Sequence, residues 1–287
     1  MARTQGFTLP ELIIVIVILG IVSAAAGIFI RGPVDAYVDQ VRRGNLVDSA
    51  EMALRRIAID VRRAVPNSVR IDQNSAGCPA GQCLEMLNAV AGARYRDQPA
   101  AGPGGGNAAK RLKFNAADDA FNVQGPFPAL AGSTSHWLVI YNLGSGDANV
   151  YDVGSPDADY HVITDTGTTI TITADAGLFA GESNVVIDPP HRFRYESPGK
   201  RIYLVDQPVM YRCTGGALYR YEAYGINAAL TTPGAGEQLV ARNVTGCDFG
   251  YAAGTSTRAA LVTMQLTLSL DGESVTLLHQ VHVENSP

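Results

Sequence analysis

Residues 6–30 read GFTLPELIIVIVILGIVSAAAGIFI, a short opening that leads directly into an apolar segment. From Leu12 to Ile30 every residue is apolar or small. About twenty helical residues cross a hydrocarbon core of roughly 30 Å, and this run is just long enough. The segment therefore predicts one membrane-spanning helix, while the rest of the chain reads as an ordinary polar globular sequence.

Glu11 stands at the edge of the apolar run. A carboxylate in that position costs on the order of a few kcal/mol unless it is paired or reaches the membrane interface. The residues alone leave two interpretations open. The glutamate reaches the lipid headgroups, or it pairs with a charge that another subunit supplies.

The N terminus differs from an ordinary secretory signal, which carries a small-residue cleavage site after its apolar region. Here the run ends in Ile30-Arg31-Gly32-Pro33, and no such site stands at that boundary. The unusual residues lie before the apolar segment instead.

The pattern Gly6-Phe7-Thr8-Leu9-x-Glu11-Leu12 before an apolar helix resembles the class III signal sequence of type IV pilins and pseudopilins. The resemblance implies that prepilin peptidase cleaves between Gly6 and Phe7 and methylates the new amine of Phe7. It also implies that Glu11 meets the N-terminal amine of a neighbouring subunit. Pro10 stands where the family usually has an aliphatic residue, but proline is tolerated in the first helical turn.

The charges around the span say little about orientation, because Arg3 lies on one side and Arg31 on the other. The resemblance implies a cytoplasmic leader and a periplasmic domain. The expected divisions are a leader (1–6), a membrane and filament-core helix (7–31), an amphipathic helix (32–66) and a β-rich globular domain (67–287). The expected localisation is the bacterial inner membrane, followed by the pilus or cell surface.

Gly32-Pro33 predicts a kink or a short break just outside the span. Beyond it, apolar residues recur at spacings of three and four from Val34 to Val61, which draws one stripe on an amphipathic helix that ends at Pro66. The pattern predicts one long helix, half in the membrane and half laid against a domain. Ion pairs four residues apart are expected on its polar side: Asp39–Arg43, Glu51–Arg55 and Arg56–Asp60.

The remainder predicts antiparallel β-structure with long loops. Leu261–Leu270 and Ser274–Val283 flank Asp271-Gly272-Glu273, a strong hairpin signal. The glycine-rich stretch Ala100–Ala109 predicts a flexible loop or an insertion. The other candidate strands are Trp137–Tyr141, Thr168–Thr173, Arg192–Tyr195, Arg201–Val205, Ala217–Ala223 and Arg242–Tyr251.

Four cysteines are candidates for structural disulfides: Cys78 and Cys83 bracket a Pro/Gly loop, and Cys213 and Cys247 lie in the strand-rich part. An even number of cysteines in an exported domain favours disulfides over a metal site, and no Cys-x-x-Cys is present. The sequence leaves their connectivity open.

No motif in the chain predicts catalysis, since Gly-x-Ser-x-Gly, His-Glu-x-x-His and Walker loops are all lacking. His279 and His282 lie three apart in a predicted strand and would face opposite sides. The net charge of -5 gives no reason to expect nucleic acid. No cofactor is expected. One alternative is calcium at an acidic loop that contains Asp147, Asp152, Asp157 and Asp159.

Further patches, among them Pro208-Val209-x-Tyr211-x-Cys213 and Val281-His282-Val283-x-Asn285, resemble one branch of the family. That branch is the large minor pilin of the mannose-sensitive haemagglutinin (MSHA) pilus, the MshO type. It is similar in outline to the J-type pseudopilin of type II secretion and to PilW-type minor pilins.

The expected fold is α+β and pilin-like, with one long N-terminal helix packed on an antiparallel β-rich domain. The expected function is that of a minor pilin in pilus assembly or initiation, at the tip. The implied partners are other major and minor pilins, prepilin peptidase, the inner-membrane assembly platform and the lipid bilayer. A tip adhesin and a type II secretion pseudopilin are the alternatives, and an anchored hydrolase is a distant third.

Overall fold

The fold is built on one 54-residue helix, α1 (Leu9–Arg62), which is about 80 Å long at 1.5 Å per residue. The structure is a computed structural model that describes residues 8–71, 77–98, 110–125, 127–152, 160–176, 179–254 and 258–283. Helix α1 packs with its C-terminal part on a β-rich, antiparallel domain. The predicted α+β fold class is confirmed.

The helix passes through Pro33 without interruption, so the chain has no break at Gly32-Pro33, and the kink predicted as the alternative stays a prediction. An interior proline removes one backbone hydrogen bond and crowds the preceding turn. Here that penalty is local, while long helix-forming stretches continue on both sides. The helix ends at Arg62, four residues before Pro66, where the pattern predicted its end.

The strands within the described ranges form two sheets. Their bounds are β1 (Arg70–Ile71), β2 (Cys83–Tyr95), β3 (Asp118–Gln124), β4 (Leu130–Ser133), β5 (Trp137–Val139), β6 (Tyr160–His161), β7 (Thr169–Ala174), β8 (Glu182–Phe193), β9 (Arg201–Thr214), β10 (Ala217–Tyr221), β11 (Glu237–Arg242), β12 (Val244–Ala252), β13 (Ala260–Leu270) and β14 (Glu273–Val283).

The large sheet has eleven strands among the described residues, and its main path is β11-β10-β9-β2-β3-β8-β7-β4. Strand β1 pairs with β2, β5 with β9, and β6 with β8. The pairings are antiparallel except for β6 with β8. Strands β2 and β9 are the longest, and they link the part of the sheet near α1 to a second apolar core between β3, β7 and β8.

The small sheet is the meander β12-β13-β14. Leu270 pairs with Glu273 across a two-residue turn, in which Asp271 and Gly272 have φ values of 49° and 89°. Two positive φ values define the type I′ hairpin turn that Asp-Gly favours. The hairpin predicted around Asp271-Gly272-Glu273 is confirmed.

The core next to α1 takes side chains from both sheets. It contains Leu46, Ile57 and Val61 of the helix. It also contains Met86 and Tyr211 of the large sheet and five residues of β13, which are Ala260, Val262, Met264, Leu266 and Leu268. The C-terminal part of α1 therefore shares one core with the small sheet and with one end of the large sheet.

Candidate assembly interface

Glu11 takes part in the N-terminal cap of α1. The helix begins at Leu9, and its first turn contains Pro10. The backbone N–H of Thr8 donates to Oε2 of Glu11 at 3.4 Å, and the Thr8 hydroxyl lies 3.5 Å from the same oxygen. A carboxylate in the first turn also interacts favourably with the helix dipole. Gly6 and Phe7 lie outside the described residues.

The role of Thr8 in this cap was not predicted. A Ser or Thr followed three residues later by Glu is a recognised helix-start signal, and Thr8-x-x-Glu11 fits it. The two contacts to Glu11 are long, and an ionised carboxylate has about four acceptor positions. Glu11 therefore keeps acceptor capacity for a further donor while it caps its own helix.

The apolar segment of α1 does not pack against the described residues of the domain. From Thr8 to Val41, every side chain whose surroundings are described is exposed. The large apolar side chains are between 43% (Val15) and 85% (Phe29) exposed. Among the described residues α1 is the one helix long and apolar enough to cross a membrane, and none of its most apolar stretch is buried. This surface requires lipid or other apolar helices as its surroundings.

The apolar stripe beyond Pro33 divides into two parts. Val34, Tyr37, Val38 and Val41 are exposed, and burial begins only at Leu46. The prediction that the whole stripe lies against the domain is therefore wrong for its first part. Among the described residues, the domain's strands reach along α1 as far as Arg42, whose guanidinium lies 3.4 Å from Asp271 in the β13–β14 turn.

Of the three ion pairs expected on the helix, the structure forms one. Arg55 pairs with Glu51 as expected, but Asp39 pairs with Arg42 at 2.9 Å rather than with Arg43. Asp60 turns toward the large sheet instead of toward Arg56. The three-residue spacing is as favourable on a helix as the four-residue spacing. The sequence alone therefore could not show whether Asp39 pairs with Arg42 or with Arg43.

Asp60 joins the end of α1 to the large sheet by hydrogen bonds. Its Oδ2 accepts hydrogen bonds from Tyr211 Oη and from Arg220 Nε, both at 2.7 Å. Burial raises the pKa of Tyr211, and the negative charge of Asp60 raises it further, so the phenol stays protonated and donates. Burial alone would lower the pKa of Arg220, but its hydrogen bonds to Asp60 and Glu222 raise it.

A second buried ion pair holds the chain just after the helix. Arg70 Nε donates to Glu85 at 2.5 Å, and Tyr224 Oη donates to the same carboxylate at 2.8 Å. Burial raises the pKa of Glu85, while Arg70 and Tyr224 oppose that shift. The Arg70 guanidinium also donates to the carbonyls of Asn227 and Ala228. These contacts tie the loop after β10 to the start of the domain.

All four cysteines are paired, Cys78 with Cys83 and Cys213 with Cys247. The first disulfide closes a short loop beside β2. The second joins β9 of the large sheet to β12 of the small sheet, and therefore links the two sheets that share the core with α1.

The acidic loop considered for calcium is only partly described. Asp147 forms an ion pair with Arg194 at 2.5 Å, and Asp152 is exposed. Asp157 and Asp159 lie outside the described residues, as does the glycine-rich stretch Ala100–Ala109. Within the described ranges, no three His, Cys, Asp or Glu side chains are grouped as metal ligands. Calcium at this loop therefore stays a prediction.

The model of the prokaryotic N-terminal methylation motif matches residues 1–27, which cover the signal and the first part of α1. In this segment the chain is type IV pilin-like or pseudopilin-like, with one N-terminal apolar helix suited to membrane anchoring. No curated protein and no solved structure matches the chain.

Proposed function

We propose that the chain is a minor subunit of a type IV filament, of the MSHA type, and that it acts in filament assembly or initiation at the tip. Prepilin peptidase cleaves it after Gly6 and methylates Phe7. The globular domain lies in the periplasm while the apolar half of α1 rests in the inner membrane. The subunit then joins other major and minor pilins on the assembly platform and has a structural role, with neither catalysis nor a cofactor.

The observation that carries this proposal is the first half of α1. Its described apolar side chains are exposed on all faces, and the methylation motif, which matches residues 1–27, covers most of this apolar run. Lipid satisfies such a surface in the membrane, and neighbouring apolar helices satisfy it in a filament. Glu11 caps its own helix and still retains acceptor capacity, which a donor from a neighbouring subunit could use.

Glu11 then acts as a register device. In an apolar bundle the carboxylate is costly when unpaired, and an amine at the N terminus of a neighbouring chain would compensate it. Pairing between Glu11 and a neighbour's Phe7 amine would thus favour one axial offset between subunits. The size of the globular domain supports the role of a minor subunit, because a domain of this size after Pro66 would be hard to repeat along a thin filament shaft.

Replacing Glu11 with Ala tests the proposal. Cleavage and methylation should continue, because the peptidase site at Gly6 and Phe7 is unchanged. Incorporation into filaments should fall roughly a hundredfold, which corresponds to a lost buried ion pair of about 3 kcal/mol. Filament number by electron microscopy and subunit content of sheared filaments are the measurements.

Glu51→Ala is the matched control for that experiment. It also removes one carboxylate from α1, but Glu51 is exposed and, among the described residues, pairs only with Arg55 on the same helix. This variant should assemble as the wild type does. Normal incorporation of the Glu11→Ala chain would remove Glu11 from the mechanism, and normal filaments in cells that lack the gene would remove the initiation role.

A second candidate function is adhesion at the tip. A surface cavity of about 520 Å³ lies at the end of the large sheet remote from α1, and its lining includes Arg111, Lys113, Arg192 and Lys200. Asp97 and Glu196 also line it, and both pair with Lys200. The remaining excess of basic side chains favours contact with an anionic surface. Loss of adhesion with filament number unchanged would favour this role, and loss of a secreted enzyme would favour a pseudopilin of type II secretion.

A further inference from the structure

Strand β14 forms an open edge of the small sheet. It pairs with β13 over eleven residues without a register shift, and among the described residues no other strand pairs with it. An edge strand presents a row of unpaired N–H and C=O groups, which is a template for another strand. Natural proteins close such edges with charges, prolines, bulges or covering segments.

The other end strands of the two main sheet paths are closed in these ways. Strand β12 has a register shift after Val244, and its Phe249 N–H donates to the carbonyl of Gly81 at 2.7 Å. Strand β11 has only six residues and is charged at both ends. Strand β4 has four residues and an irregular register with β7.

Strand β14 has α1 packed against its inner face, but its edge carries no proline, bulge or paired strand among the described residues. From Val275 to Val283 it reads VTLLHQVHV, with no Asp, Glu, Lys, Arg, Pro or Gly. Leu278 is 61% exposed in the middle of this stretch. An edge that is long, regular and uncharged is an aggregation hazard in a subunit that works alone. Binding of another chain along this edge would explain why the sequence leaves the edge unprotected.

The hairpin turn decides which backbone groups are free. In a two-residue hairpin the residues that flank the turn exchange both hydrogen bonds, so Leu270 and Glu273 form such a pair. Pairing then alternates along the strand. The N–H and C=O groups that point away from β13 belong to Ser274, Thr276, Leu278, Gln280 and His282.

The position of β14 relative to α1 restricts what can bind there. Asp271 in the turn pairs with Arg42, at the membrane-proximal end of the docked part of α1. Residues Leu46 to Val61 of α1 share a core with β13 and β14. The turn between the two strands therefore lies nearest the membrane, and both strands extend from that turn away from it. An antiparallel pair of two β14 strands would point the apolar helix of the second copy away from the bilayer.

We propose that the free edge of β14 binds an extended segment of a different pilin-type subunit as an added strand. This proposal rests on the proposed function, since it requires a neighbour whose apolar helix lies beside α1. The domain of such a neighbour lies at the same height above the membrane as β14. The added strand receives backbone hydrogen bonds from the free groups of β14 and lies beside the helix–sheet core.

The experiment uses the full-length chain in filament-forming cells, with photoreactive benzoylphenylalanine in place of Gln280. Illumination should yield an adduct with another chain that carries a pilin-type signal, identified by mass spectrometry. Leu278→Pro removes one outward N–H and should reduce the adduct about tenfold. Leu278→Thr keeps that N–H and removes only the apolar side chain, so its adduct should stay within about twofold of the parent.

Retention of the Cys213–Cys247 disulfide and of protease resistance shows that the Leu278→Pro chain folds. If it does not fold, hydrogen exchange of the wild-type chain supplies the test. The amides of Thr276, Leu278 and Gln280 should exchange more slowly in assembled filaments than in the membrane-held subunit, and an unchanged rate would overturn the proposal.

Three results of the crosslinking would overturn strand addition. They are an adduct with a second copy of this chain, equal loss of the adduct in the proline and threonine variants, and normal incorporation without any adduct. In the last case the proposed function stands and only the strand is lost. Conversely, a strand adduct in cells whose filament number does not depend on this gene supports the strand and removes the initiation role.

Discussion

The two halves of α1 require different surroundings. From Leu12 to Ile30 the helix is apolar on every face, and every side chain whose surroundings are described there is exposed. From Leu46 to Val61 it is apolar on one stripe, and that stripe is buried by two sheets. One continuous helix thus carries two different sequence patterns, and the domain covers only one of them.

This difference separates the residues that stabilise the domain from the residues that need surroundings outside it. The stripe supplies its own core and stabilises the domain. The all-round apolar half has no partner among the described residues of the domain, so its free energy depends on lipid or on neighbouring helices. Mutations in the two halves should therefore act on different measurements, one on unfolding and the other on insertion and assembly.

The sharpest contrast is between Ile57 and Ile18. Ile57 is fully buried in the core next to α1, whereas Ile18 is 54% exposed. Ile57→Ala should lower the free energy of unfolding of the domain by about 2–5 kcal/mol, because it leaves a cavity. Ile18→Ala should leave it unchanged within about 0.5 kcal/mol. Denaturant unfolding in detergent is the measurement, and equal losses would contradict the division of the helix.

The Cys213–Cys247 disulfide tests how the two sheets hold the helix. It joins residues 34 apart in the chain, one in each sheet. Replacing both cysteines with serine should lower the free energy of unfolding by about 2–4 kcal/mol, because the unfolded chain gains freedom. The Cys78–Cys83 disulfide spans only five residues and should contribute less. The reverse order would show that the long link does not stabilise the docked half.

Asp60 gives the smallest expected effect of the three. Asp60→Asn weakens the charged hydrogen bonds to Tyr211 and Arg220, while Glu222 still pairs with Arg220. The unfolding free energy should fall by about 1–3 kcal/mol. Asp48→Asn is the control, because Asp48 is exposed on the same helix. An equal change in both variants would mean that the Asp60 contact adds nothing to docking.

The helix and the C-terminal hairpin could be predicted because their signals are local. The run from Leu12 to Ile30 and the Asp271-Gly272 turn each contain enough information in a few neighbouring residues. The extent of docking could not be predicted in the same way. Val34 to Val41 continues the apolar spacing of the buried stripe, and only the reach of the β13–β14 hairpin decides that it stays exposed.

Two long strands were missed, for different physical reasons. Strand β2 is rich in Ala, Leu, Met and Glu, which are good helix formers, and it becomes a strand because β9 pairs along nearly its whole length. Strand β8 contains Pro189 and Pro190, which normally argue against a strand, and only its end from Arg192 was predicted. Tertiary pairing overrode local preference in both.

The sequence proposes residues for the candidate interface, but it does not give all of their contacts. The signal motif points to Gly6, Phe7 and Glu11, and the family model matches the same segment. The hydrogen bonds from Thr8 to Glu11 required only the known Thr-x-x-Glu spacing. The role of Asp60 was not available from the sequence, since its partners Tyr211 and Arg220 lie about 150 residues away.

Mass spectrometry of the N-terminal peptide tests the central claim most directly. The chain would be isolated from sheared filaments and from membranes of the same cells, with and without prepilin peptidase. A peptide that begins at Phe7 and carries one methyl group on its amine is expected in both fractions, and only when the peptidase is present. A filament-borne chain that still begins at Met1, or that lacks the methyl group, would contradict the account.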